Sequence, residues 1–183
     1  NKTYDWTTDA TVSDSTNDII NGDAVTISEG ASFASKNAGE DITVNISSIA
    51  LGGEDAANYN LTSTTDSTTA TINTKDITVS YTAAGKTYDG TTDATVSDSI
   101  NDIIGEDVVT ISESASFATK NAGENITVNI TGMSLGGEDA GNYSLTSTTD
   151  STTATINKKD VTVSYTAAGK TYDGTTIAKV SNK

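Results

Sequence analysis

The sequence predicts an all-β chain assembled from tandem repeats of about 84 residues, and three observations carry that reading. First, the chain repeats itself: Lys2-Thr3-Tyr4-Asp5 returns at Lys86-Thr87-Tyr88-Asp89 and again at Lys170-Thr171-Tyr172-Asp173, and Phe33 returns at Phe117. Setting residues 1–84 over 85–168 leaves 67 of 84 positions identical with no gap. Second, short runs alternate apolar or β-branched residues with polar ones, the period of a half-buried strand. Third, turn residues punctuate those runs, and no amphipathic helical stretch separates them.

The period decides the organisation. Solenoid repeats of 20 to 50 residues cannot bury a core alone, whereas about 84 residues is the size of a small independent domain. The predicted units are 1–75, a first repeat lacking its N-terminal strand; 76–159, a complete repeat; and 160–183, the opening strands of a truncated third. Seven strands are expected in the complete repeat, near 76–84, 92–97, 107–112, 114–119, 125–132, 142–148 and 152–158. Ile77-Thr78-Val79-Ser80-Tyr81 shows the pattern best, with Ile77, Val79 and Tyr81 on one face. Asp89-Gly90, Gly105-Glu106-Asp107, Asn121-Ala122-Gly123 and Gly136-Gly137 supply the turns. That count and spacing suit an immunoglobulin-like β-sandwich, and a series of them an elongated rod.

Composition tests this reading. Leu, Ile, Val and Phe make up 33 of 183 residues and the formal charge is −15, values that belong with disordered chains. Thin sandwiches resolve the conflict, because each strand offers one inward face and the abundant Thr suits the wet one. The charge divides into −9 over 1–84, −8 over 85–168 and +2 over the remainder, so it belongs to each repeat. Like-charged neighbours repel, which favours extension, and stability per unit should be modest, least in the first copy.

Much chemistry is excluded. With no His and no Cys there is no imidazole base, thiol nucleophile, disulfide or zinc-finger site. No Arg and a pI near 4.1 argue against nucleic acid and anionic membranes, which demand cationic patches. No apolar run approaches the length of a membrane span, and the first residues carry no signal-peptide h-region, so targeting has been removed or lies elsewhere. A carboxylate-pair glycosidase needs a cleft and sugar-stacking surface that a small sandwich with few aromatics lacks. The Thr-rich stretch Thr146 to Thr155 reads as a solvent-facing hairpin in preference to an ice-binding array.

Candidate sites are few. Calcium takes six to eight oxygen ligands, and acidic loops offer Asp98, Asn101 and Asp102, Glu106 with Asp107, and Glu138 with Asp139, in none of the known loop spacings. The alternative for each is a solvated acidic loop, so no metal or cofactor is assigned. Structural roles fall to Tyr88, Asp89 and Gly90 in the repeated turn. They fall also to Asp139 with Tyr143 and Asp55 with Tyr59, whose Asp-Ala-x-Asn-Tyr pattern has the form of a tyrosine corner, the hydroxyl bonding back to nearby backbone.

Gly85-Lys86-Thr87-Tyr88-Asp89-Gly90-Thr91-Thr92, Phe117-Ala118-Thr119-Lys120-Asn121-Ala122-Gly123, Leu135 through Tyr143 and Ala154-Thr155-Ile156 together resemble the YDG-type repeat of large bacterial surface adhesins of the filamentous-haemagglutinin-like kind. The resemblance implies secretion, exposure at the cell surface, and a repeat region that holds a distal binding domain away from the cell; it implies no catalytic residues. The first copy departs from the signature at Trp6, which stands where the others have Gly90 and Gly174, a strained choice if that turn needs positive φ.

Two further expectations concern assembly. Ala154-Thr155-Ile156-Asn157 runs through Lys158-Lys159-Asp160 into Val161-Thr162-Val163-Ser164-Tyr165 without a flexible linker, so neighbouring repeats should hold restricted orientations. The strand at Val161 to Tyr165 is surplus in this chain while the first repeat lacks its counterpart. Either the segment belongs to a longer array, or it completes the deficient repeat of another molecule, giving head-to-tail association as in donor-strand complementation. The expected function is a stalk or spacer. The alternatives are a multivalent module binding glycan or host protein, or a self-assembling biofilm fibre subunit.

Overall fold

The computed structural model describes residues 1–16 and 18–181. Among these the chain is all-β, with two single turns of 3-10 helix at Ala56–Asn58 and Ala140–Asn142. No helix among them is long and apolar enough to cross a membrane.

The first repeat contributes β1 (Lys2–Thr3), β2 (Thr26–Phe33), β3 (Gly39–Gly52) and β4 (Asp66–Asn73), hydrogen-bonded in the order β1-β4-β3-β2. The second repeats that sheet with β6 (Lys86–Thr87), β8 (Thr110–Phe117), β9 (Gly123–Gly136) and β11 (Asp150–Asn157), in the order β6-β11-β9-β8. It has in addition a three-stranded sheet, β10-β5-β7, built from β5 (Lys75–Ala83), β7 (Val96–Asn101) and β10 (Tyr143–Leu145). Two-residue strands β12 (Thr166–Ala167) and β13 (Val180–Ser181) pair at the C-terminal end.

Alternation explains the strands. β2 and β8 both half-bury every second residue and end on a buried Phe, Phe33 or Phe117. The expected pair 107–112 and 114–119 is one strand, β8, interrupted by a bulge in which Gly132 and Met133 of β9 oppose Glu113 alone. Bulges insert an extra residue that interrupts the alternation, and this one takes positive φ at Gly132, 66°. In the first repeat Ser48 holds the equivalent place at φ 57°, a conformation disfavoured for a side chain with a Cβ. The strand expected at 92–97 lies instead at Val96–Asn101, because its pairing partner is β5, antiparallel from Thr78↔Asn101 to Ala83↔Val96.

β5 is the link between repeats. It follows β4 after the single residue Thr74, yet it pairs with nothing in the first repeat's sheet. Its N-terminal end lies parallel to β10, Lys75↔Tyr143 to Ile77↔Leu145, and Ala83 packs on the second core of Phe117, Val128 and Ile156. The counterpart of β7 in the first repeat, Val12–Thr16, forms no strand because no β5 is present beside it.

The surplus strand expected at Val161 to Tyr165 is not one here. Those residues are exposed and unpaired, Val161 at 84% of its full surface, since a strand needs a neighbour to satisfy its backbone and none of the described residues lies alongside.

Candidate functional site

The most organised polar arrangement lies where the repeats meet. Tyr4 is fully buried at 1% exposure, between the core of its own repeat and the second repeat. Its hydroxyl donates to Asp107 Oδ2 at 2.7 Å, and the Tyr143 hydroxyl donates to the same oxygen at 2.7 Å. The two rings meet edge to face with centroids 5.5 Å apart, a favoured aromatic geometry. Tyr143 also accepts from the Ile104 backbone N–H at 3.0 Å. Around this centre Tyr4, Phe33, Val44 and Ile72 of the first repeat form one buried cluster with Ile77 and Tyr143, so a single core crosses the sequence boundary.

Polar contacts frame it. Asn142, buried, accepts from the Ala38 N–H at 2.9 Å. Ser144 Oγ donates to Asp76 at 2.6 Å, and Thr74 Oγ1 donates to Ser144 Oγ at 3.2 Å. Trp6 packs over Gly105, where an added Cβ would sit 3.3 Å from the indole, and Lys36 lies 4.4 Å above the ring in a cation–π contact.

Burial pushes the Asp107 carboxyl up, but hydrogen bonds from Tyr4 and Tyr143 and the charge of Lys36 outweigh it and hold it below the ordinary carboxylate range. Burial, together with the Asp107 charge, raises both phenols. A lowered carboxyl stabilises the fold above its unfolded pKa, and a raised phenol stabilises it below its own. The joint is therefore at full strength between about pH 4 and about pH 10.

The cradle is preformed in the other copy. Tyr59 donates to Asp23 Oδ2 at 2.6 Å and accepts from the Ile20 N–H at 3.0 Å, with no tyrosine from a preceding repeat against it. Asp55 and Asp139 hold the same loops from behind, accepting from the Ala24 and Val108 N–H groups at 2.8 and 2.9 Å. Gly137 is required beside Asp139: it takes φ 98°, and a Cβ there would strike the Val108 carbonyl. Asp55, Tyr59, Asp139 and Tyr143 thus all bond to residues of an upstream loop, and the tyrosine-corner geometry is not what they form. The hydroxyl bonds to a loop 39 residues upstream, because that loop, and not the local corner, lies against the ring.

The repeated Lys-Thr-Tyr-Asp turn is a self-contained clasp. Lys86 Nζ donates to Asp89 at 3.0 Å and to the Thr91 carbonyl at 3.1 Å, while Asp89 Oδ1 accepts from the Thr91 N–H at 2.9 Å. Lys2, Asp5 and Thr7, and Lys170, Asp173 and Thr175, make the same bonds. The Thr91 amide, then Lys86, pull the Asp89 carboxyl down to about 2. Gly90 takes φ 86°, Gly174 72° and Trp6 70°, so the turn does need positive φ and Trp6 carries its strain. Tyr88, in the clasp, remains 36% exposed and Tyr172 94%, against 1% for Tyr4: the clasp forms locally, but only a following repeat buries its tyrosine.

The calcium candidates do not converge. Asp107 is occupied by two phenols, Asp139 by a backbone amide, Asn101 donates to Ser80 Oγ at 3.0 Å, and Asp98 lies on β7 opposite Tyr81. Glu106, Glu138 and Asp102 join no cluster: among the described residues no group of three or more carboxylates is placed to hold a metal. Sequence reasoning missed Tyr4, Asp23, Asn142 and Trp6 as joint residues. One signal was available, since Trp6 for Gly90 and Gly105 for Asn21 are reciprocal size changes between copies.

These features define an all-β protein of tandem repeats in which the first repeat shares a core with the second. The family model described as YDG domain matches residues 1–70 and again 73–153, and the chain belongs to that family. The second match begins just before β5, in agreement with the sheet that strand joins. Neither the curated proteins nor the solved structures contain a match.

Proposed function

We propose that the chain is a stalk segment of a secreted bacterial surface adhesin, in which immunoglobulin-like sandwiches extend a distal binding domain by length and stiffness. The observation that carries the reading is the joint: a shared apolar core, the Tyr4–Asp107–Tyr143 contact and a one-residue connection leave little room for neighbouring repeats to swing. The sandwich reading rests on the four plus three strands of the second repeat, the division used by constant-type immunoglobulin domains. A polypeptide that acts by spacing needs no catalytic group, and the polar side chains of the joint are consumed in holding it together.

Small-angle scattering on chains carrying two, four and six repeats tests this. A stiff stalk lengthens by a constant increment of about 35 to 40 Å per repeat. Growth with the square root of repeat number would sink the reading. Saturable binding of the two-repeat protein on a glycan or host-protein array would favour the multivalent adhesion module instead.

A further inference from the structure

The three clasps make the same bonds through Lys, Asp and Thr, and they differ at one place: Trp6 in the first, Gly90 in the second and Gly174 in the third. All three positions hold positive φ, where glycine is at ease and a side chain is not. A tryptophan kept there against its backbone preference calls for a compensating contact. That contact is with the second repeat. The indole lies over Gly105, so close that a Cβ on that residue would stand 3.3, 3.4 and 3.6 Å from three ring atoms, and the Lys36 ammonium lies 4.4 Å from the ring centroid.

The turn that receives the indole differs between copies in a matching way. Ile104 to Asp107 and Ile20 to Asp23 are closed by the same bond, from the Asp N–H to the Ile carbonyl, at 3.3 and 3.0 Å. Their glycines sit at different places. Gly105, φ 60°, is the second residue of its turn, while Gly22, φ 109°, is the third residue of its own. The second repeat therefore presents bare backbone where the first presents Asn21, and it does so at the one surface on which Trp6 rests.

We infer that Trp6 and Gly105 are a matched pair that specifies this joint. The turn of the second repeat selects the clasp that carries Trp, because a clasp with Gly leaves the place over Gly105 empty, and a turn with Asn at that position would reject the Trp clasp by crowding the indole. Near-identical neighbours misassemble readily while folding, and discrimination between them needs a repulsive element as well as an attractive one. The hydrogen bonds of the joint do not supply it, since Tyr4 recurs at Tyr88 and Tyr172, and Asp107 with Tyr143 recurs at Asp23 with Tyr59. The pairing goes beyond the stalk reading, because it concerns how two repeats find each other whatever the docked pair then does.

Ala38 of the first repeat donates its N–H to Asn142 of the second at 2.9 Å, so its amide exchange reports whether the joint is closed. Gly105→Asn in the 183-residue chain is expected to speed exchange at Ala38 by roughly tenfold, the scale of coupling between touching residues, and to shift the emission of Trp6, the one tryptophan of the chain, to longer wavelength. Trp6→Gly alone should also speed it. In the Trp6→Gly background, however, Gly105→Asn should change the exchange by no more than about twofold, because the ring it crowds is gone. Gly105→Ala, which adds the Cβ alone, should show the same dependence on Trp6 and serves if the larger side chain prevents folding. An equal effect at position 105 with and without Trp6 overturns the inference, since backbone strain and not the indole would be its cause. So does slower exchange in Trp6→Gly, or a Gly105→Asn chain whose Ala38 exchange and Trp6 emission match the parent's.

Discussion

Ile46 and Ile130 occupy the same position in the long central strands β3 and β9, in repeats that are about four-fifths identical, yet Ile130 is fully buried and Ile46 is half-buried at the edge of a cleft. Their own sequences do not cause the difference. β5 lies beside the second repeat, and among the described residues no strand lies at the equivalent place beside the first. The same contrast runs through Val96–Asn101, a strand, and Val12–Thr16, which is none, and through Asn142, buried, and Asn58, exposed. Completeness of a repeat is thus set by its neighbours: one supplies the strand that closes the core, and another buries the clasp tyrosine.

Three paired substitutions would break or sharpen that contrast. Ile77→Ala removes a fully buried side chain from the shared core, and the loss is expected to be about 2 to 5 kcal/mol in denaturant unfolding. The matched change Val161→Ala, at an exposed position, should stay within about 0.5 kcal/mol in the monomer. An equal cost at both sites would mean that the C-terminal strand is already paired. Next, Tyr4→Phe deletes a hydrogen bond to a charged carboxylate, for an expected loss of about 1.5 to 3 kcal/mol, while Tyr88→Phe should be silent in the isolated chain. Comparable losses would show that burial by the following repeat is not what matters. The smallest effect concerns the bulges: Ser48→Gly should stabilise the first repeat by about 1 kcal/mol, and Gly132→Ser should destabilise the second by a similar amount, because both positions hold positive φ. Thermal midpoints moving the wrong way would place the strain elsewhere.

The strands were legible in the sequence wherever a period-2 pattern met a turn, as in β5, β9 and β11, because alternation and turn chemistry are local. Boundaries failed where pairing decides them. β7 is displaced by several residues because its limits follow β5, and the bulge opposite Glu113 made one strand look like two. The same physics hid the site. Asp107 stood out as an acidic loop residue, but its role depends on a tyrosine 103 residues away, and no local pattern announces which of three identical clasp tyrosines will be buried. The motif that joins Asp139 and Tyr143 was legible, while the loop they bond to, at Ile104 to Val108, was not.

The terminal strands of each repeat's main sheet run side by side and parallel: β1 with β4 through Lys2↔Ile72 and Thr3↔Asn73, and β6 with β11 through Ile156↔Lys86 and Asn157↔Thr87. Tension applied along the chain pulls β1 toward its N-terminus and β4 toward its C-terminus, so the bonds between them are loaded in shear. They must then break together and not one by one, as they would if a hairpin were unzipped. β5 adds a second load-bearing pair with β10, in the same parallel sense, across the boundary between repeats. A chain built this way resists pulling at the boundary between repeats as well as within them, and it yields only when the bonds of a parallel pair give way at once.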